Sequence, residues 1–78
     1  IQIKKSLIKN DFSIIDLVII SKFENSKSEI RRLIKGRAIK INNEIIENEK
    51  IIIDNTFFNN NYLKLSIGKK RHIKIELI

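Results

Sequence analysis

The chain has 78 residues, room for one domain with a small core, and 16 Lys and Arg against 9 Asp and Glu give a formal net charge of +7. The absence of cysteine excludes a disulfide framework and a thiolate metal site and leaves the redox compartment open. A hydrophobic content of 42% with 32% charged residues fits a folded globular chain rather than a disordered one, and the apolar run Ile14–Ile20 is far shorter than the ~20 residues that span a bilayer.

Residues 1–11 alternate weakly and carry no strong cap. They are expected to be an extended lead-in from a preceding domain, with at most a short turn of helix, and 12–78 to form the domain proper. The opening Ile1 and the lack of Met fit a piece excised from a longer protein. Residues 12–22, FSIIDLVIISK, are apolar nearly all round and rich in β-branched residues, which favours a buried strand. Against that, Ser13 can cap a helix and Asp16 stands three residues later, at the positive end of its dipole. The spacing predicts a short buried helix over Ser13–Ser21. Phe23, Glu24 and Asn25 then join it to a second helix, which makes a helical hairpin.

The stretch from Ser26 to Asn42 organises the rest. Ser26 is a good N-cap, and Glu29 is placed to complete a capping box. Ile30, Leu33 and Ile34 line one face at i, i+3, i+4 and should pack on Ile14, Leu17 and Val18, with Leu33 a core residue. Lys27, Arg31 and Lys35 form a cationic stripe with Arg32 on its flank. Gly36 is expected to supply the left-handed turn that ends the helix. A solvated helix face usually mixes signs, whereas the only acid here is Glu29, assigned to the cap. Unpaired cations on one face repel, and a polyanionic partner would convert that cost into binding.

Beyond the helix, Ala38–Asn42 alternates as a strand, with Ile39 and Ile41 to one side and Lys40 to the other. Asn42 and Asn43 signal a tight turn, Glu44–Ile46 a returning strand, and Glu47–Lys50 an acidic loop. Ile51–Ile53 reads as a short buried strand and Asp54–Asn61 as a loop turning at Asn59–Asn61. Leu63, Leu65 and Ile67, then Ile73, Ile75 and Leu77, alternate on either side of a Gly68–Arg71 turn, which is a hairpin. The fold class is therefore α+β, a two-helix hairpin packed on a small, mostly antiparallel sheet. The charge is uneven along it: residues 22–43 and 64–78 are strongly basic, and 44–63 between them are acidic. Such a field concentrates phosphate, with an affinity that falls steeply with salt.

No catalytic constellation accompanies these signals. His72 is the only histidine and reads as a surface or backbone-bonded residue, without the second ligand a zinc site needs. Glu44, Glu47 and Glu49 read as solvated acids of the hairpin and loop, and Ser26 and Ser28 have no base to activate them. Phe57, Phe58 and Tyr62 read as core or domain-interface packing. A membrane-surface module is disfavoured because the basic helix lacks aromatic anchors.

The segment SKSEIRRLIKGRAIKINNEII resembles the core of the RNA-binding domain named after the small-subunit ribosomal protein S-four, the alpha-L motif, and the fit runs from Asp11 to Ile46. The wider chain, ending in YLKLSIGKKRHIKIEL, is similar more specifically to the C-terminal domain of bacterial tyrosyl-tRNA synthetases. There a GKR- or GKK-containing hairpin closes the domain, and here Gly68, Lys69, Lys70 and Arg71 occupy it. One departure stands out: where the family often has Gly-Gly before the first strand, this chain has Arg37 and Ala38.

The resemblance implies a non-catalytic domain that grips RNA, tRNA-Tyr above all, near the anticodon stem and the long variable arm. It implies an RNA face of Lys27, Ser28, Arg31, Arg32, Lys35 and Lys40, with Arg37 as an added contact. Lys69, Lys70 and Arg71 form a second patch, and Ser26 and Glu29 serve as the structural cap. Arg forks suit paired phosphate oxygens, Lys acts as a point charge, and Ser hydroxyls suit phosphate or 2′-OH. Recognition is expected by helix shape and backbone, with no metal, membrane or cofactor engaged by this domain. ATP would belong to the catalytic domain of a cytoplasmic tyrosine–tRNA ligase, for which the resemblance admits a homodimer. The same fold also admits a ribosomal-RNA binder, stand-alone or attached to a pseudouridine synthase.

Overall fold

A computed structural model describes residues 1–8 and 11–78. Two helices, α1 (Ile14–Ile20) and α2 (Lys27–Lys35), precede most of a five-stranded sheet. Its strands are β1 (Gln2–Ile3), β2 (Ile39–Ile41), β3 (Glu44–Ile45), β4 (Tyr62–Ile67) and β5 (Arg71–Leu77), in the spatial order β1-β5-β4-β2-β3. All neighbours are antiparallel except β1 with β5. This is the expected α+β architecture.

Helix α1 forms despite its β-branched composition because its first turn is closed at both ends of a capping box. Ser13 Oγ accepts from the Asp16 amide at 3.3 Å, and the Ser13 amide donates to the Asp16 carboxylate at 3.0 Å. Its entry is held from outside by the Ile14 amide donating to the Ile51 carbonyl (3.0 Å) and the Ile53 amide to the Phe12 carbonyl (2.7 Å). Residues Ile51–Ile53, expected as a strand, therefore form a single bridge, Ser13 with Ile52, rather than a ladder. The helix that begins there ends the pairing after one residue. Ile53 is fully buried all the same.

In α2, Ser26 caps as expected, its hydroxyl accepting from the Glu29 amide at 3.3 Å. The return half of the capping box is missing, because the Glu29 carboxylate turns to the Arg32 guanidinium instead. The apolar face also differs in weight. Ile30 and Ile34 are buried with Ile14, Leu17 and Val18, while Leu33 is only half-buried at the core's margin.

The helix ends on a Schellman motif in which Gly36 is not the left-handed residue. Gly36 has φ −80°, and Arg37 takes φ 60°. The Arg37 amide donates to the Ile34 carbonyl at 3.0 Å and the Ala38 amide to the Leu33 carbonyl at 2.9 Å. The turn sits one residue later than the glycine suggests, on Arg37. A Cβ in the left-handed region costs ~1–2 kcal/mol, so Arg37→Gly is expected to raise stability by about 0.5–1 kcal/mol after the chain entropy of glycine is subtracted. Gly36→Ala, whose Cβ would meet the Arg32 and Leu33 carbonyl oxygens at 3.4 and 3.7 Å, is expected to be tolerated. Urea unfolding of both variants checks the assignment: a costly Gly36→Ala beside a neutral Arg37→Gly would reverse it.

The first residues belong to the sheet. Read as a lead-in, they are extended at Gln2–Ile3 but pair in parallel with Glu76 and Leu77, and Ile3 is buried. A 3-10 turn follows at Lys5–Leu7, and Lys9 and Asn10 of the 1–11 stretch lie outside the described residues. Two tight turns fall on Asn pairs, Asn42-Asn43 (φ 52° and 73°) and Asn60-Asn61 (φ 52° and 68°), because Asn tolerates the positive φ that a two-residue hairpin requires. The sheet's inner face, with Ile39, Ile41, Leu63, Leu65, Ile67, Ile75 and Leu77, is buried in the common core.

Candidate nucleic-acid interface

The exposed side of α2 carries Lys27, Ser28, Arg31, Arg32 and Lys35, as the helical spacing predicts. Their electrostatics differ from the unpaired stripe expected. Arg31 Nε lies 3.5 Å from a Glu49 carboxylate oxygen, Arg37 Nη1 lies 3.3 Å from Glu47, and Arg32 pairs with Glu29. The acidic loop, read as solvated, has folded back on the helix. Together they frame a shallow groove lined by Arg31, Ile34, Lys35, Glu47, Asn48 and Glu49.

These pairs do not bury the cations. The Arg31 and Glu49 side chains remain 48% and 37% exposed, and Arg37 and Glu47 64% and 63%. Exposed pairs of this kind contribute about 0–1 kcal/mol, so a phosphate can compete with the carboxylate for either guanidinium. The Arg32 pKa lies above its ordinary value, through the hydrogen bond it donates to the Glu29 carboxylate first and that carboxylate's charge second. Its charge is therefore fixed. Lys27 and Lys35 make no ion pair among the described residues.

Two predicted site residues are placed elsewhere. Lys40 lies between inward-facing Ile39 and Ile41, so it projects from the outer face of the sheet, opposite the helices. Arg71 folds onto the linker between α1 and α2: its Nη2 donates to the Phe23 carbonyl at 2.7 Å, and the guanidinium sits 4.9 Å from the Phe23 ring centroid. Lys69 and Lys70 are exposed in the β4–β5 turn. That turn touches the segment leaving α2, where the Gly68 amide donates to the Ala38 carbonyl at 2.8 Å. The second patch is thus tethered beside both the entry to α2 and its exit.

His72 is bonded as a structural residue. Its Nε2–H donates to the Lys69 carbonyl at 3.1 Å, and Nδ1 lies 2.8 Å from Oγ of the buried Ser66. Phe57 and Phe58 are half-buried against the core, whereas Tyr62 faces outward and is 37% exposed. Lys64 and Lys74, which the sequence reading did not single out, share that outer face with it. Their signal was available, since each sits between inward-pointing residues of an alternating strand.

The described residues include no group of three His, Cys, Asp or Glu able to hold a metal ion, and no helix long and apolar enough to cross a membrane. A family model described as the tyrosine–tRNA ligase SYY-like C-terminal domain matches residues 3–75. Similar proteins include a tyrosine–tRNA ligase of Pelagibacter ubique (strain HTCC1062), 57% identical over 77 residues, which is 99% of this chain and 19% of that protein. A tyrosine–tRNA ligase of Wolbachia pipientis wMel is 40% identical over 74 residues, 94% of this chain and 18% of that protein. One of Rickettsia prowazekii (strain Madrid E) is 38% identical over 72 residues, 91% of this chain and 18% of that protein. The chain spans less than a fifth of the length of these curated relatives.

Proposed function

We propose that this chain, which belongs to the family of tyrosine–tRNA ligase SYY-like C-terminal domains, binds transfer RNA through the exposed side of α2. The observation that supports this most directly is the geometry of α2. A capped helix anchored by Ile30 and Ile34 holds Lys27, Arg31 and Lys35 in solvent at one-turn spacing, with Arg32 beside them. Lys27 and Lys35 supply point charges, and Arg31 and Arg37 exchange an exposed carboxylate for a phosphate. Such contacts read backbone and helix shape rather than base edges.

In this proposal the chain holds the tRNA-Tyr body for a cytoplasmic tyrosine–tRNA ligase. A separate catalytic domain of the parent protein activates tyrosine with ATP and esterifies it to the tRNA. This chain's own residues bind and orient, and Lys69 and Lys70 extend the grip past the end of α2.

A gel-shift titration of the chain with a tRNA-Tyr transcript, with and without its long variable arm, tests the reading. Binding is expected to weaken steeply between low and moderate salt and to weaken again when the arm is removed. Equal or tighter binding to a ribosomal-RNA helix of the same length would overturn it in favour of a ribosomal role.

A further inference from the structure

We infer that the outer face of the sheet is a second phosphate-binding surface, centred on Lys64 and Lys74 with Lys40 beside them, which takes an RNA backbone independently of α2. This rests on the tRNA-binding reading above and extends it to the opposite side of the domain. The β4–β5 register sets Lys64 directly opposite Lys74, and the β2–β4 register brings Lys40 opposite Ser66 in the adjoining row. Like charges facing each other across an antiparallel pair are destabilising. On the helix side, Arg31, Arg32 and Arg37 each have a carboxylate; on the sheet side, Lys40, Lys64 and Lys74 have none among the described residues.

The acid that could serve them is held away. Glu76, on the same face, accepts from Gln2 Nε2 at 2.9 Å and from the Tyr62 hydroxyl at 3.3 Å. Neutral groups instead orient the two lysines: Lys74 Nζ sits 4.4 Å from the Tyr62 ring centroid, and Lys64 Nζ donates to Asn43 Oδ1 at 3.2 Å. Between them is a shallow depression lined by Lys64, His72, Ile73 and Lys74. Both lysines are exposed, and the ring against Lys74 is a partner that leaves its charge uncompensated. An anion that bridges the pair removes the repulsion that the fold leaves in place. A phosphodiester backbone suits this surface because it carries repeated negative charge past lysines on three adjoining strands.

Lys64→Glu separates binding from folding, since the two effects have opposite signs. The introduced carboxylate faces Lys74 and removes the cross-strand repulsion, so the melting temperature is expected to stay level or rise. Affinity for a tRNA-Tyr transcript is expected to fall about tenfold, and the Lys64→Gln, Lys74→Gln pair should make the log–log salt slope shallower by about 0.7–0.9 for each lysine removed. A Lys27→Glu, Lys35→Glu variant measured alongside reads the α2 surface. Loss in the α2 variant alone overturns the sheet surface and leaves the α2 reading standing. Loss in the sheet variants alone supports the sheet surface and removes α2, and loss in both supports the two together. Affinity unchanged in every variant overturns both.

Discussion

Replacing Ile30 by Ala is expected to cost about 2–5 kcal/mol, the range for deleting a fully buried aliphatic side chain that its surroundings cannot refill. Ile30 has no exposed surface and sits at the centre of α2, facing Ile14, Leu17 and Val18 of α1 in one cluster. Domains of this size hold only ~5–15 kcal/mol in reserve, so a large share of the stability would go. Leu33→Ala, one turn further on, should cost much less because Leu33 is half-buried at the margin. Urea unfolding of the two variants measures the difference directly. Equal losses would mean that α2 is rotated from the orientation described, and its basic side with it.

That ranking shows what a linear pattern can and cannot carry. Helical spacing identified Ile30, Leu33 and Ile34 as one stripe correctly. The stripe is wider than the contact it makes, however, and which residue sits at its centre depends on where α1 and the sheet lie. The serine caps were legible because a cap is a local event. So were the Asn-Asn turns and the alternation of β4 and β5, for the same reason. The parallel pairing of Gln2–Ile3 with β5 was not, since a two-residue edge strand has too few residues to show a period.

The same division runs through the candidate site. The cations of α2 were legible, but their partners were not. Glu47 and Glu49 come from a loop beyond two strands, and nothing in a local pattern foretells that it folds back over Arg31 and Arg37. Lys40 joins the α2 cations only through the family resemblance. Strand parity sends it to the other face, beside Lys64 and Lys74, and the register that assembles those three is a tertiary fact. The left-handed residue at the end of α2 was assigned to the available glycine, yet the Schellman hydrogen bonds count from the last helical turn and fall on Arg37.

Reversing charge at both Lys27 and Lys35 is expected to weaken tRNA binding by about a hundredfold or more. Removing a charged contact costs about 1.5–3 kcal/mol, and each 1.4 kcal/mol is roughly tenfold in affinity. Neither lysine packs in the core, so the unfolding midpoint should move little. Neutralising the loop with Glu47→Gln and Glu49→Gln should act in the opposite direction. It frees Arg31 and Arg37 without a folding penalty above ~1 kcal/mol, and the salt slope should steepen by about 0.7–0.9 for each guanidinium that reaches phosphate. The loop acids then act as a brake on affinity, occupying the sites a phosphate would take until RNA displaces them. Tighter binding from the loop variant together with loss from the lysine variant would place RNA along the groove between α2 and residues 47–49. If the lysine variant loses affinity and the loop variant stays unchanged, RNA contacts α2 at Lys27 and Lys35 and leaves the two ion pairs intact. If reversing both lysines leaves affinity and salt slope unaltered, α2 is not the binding surface.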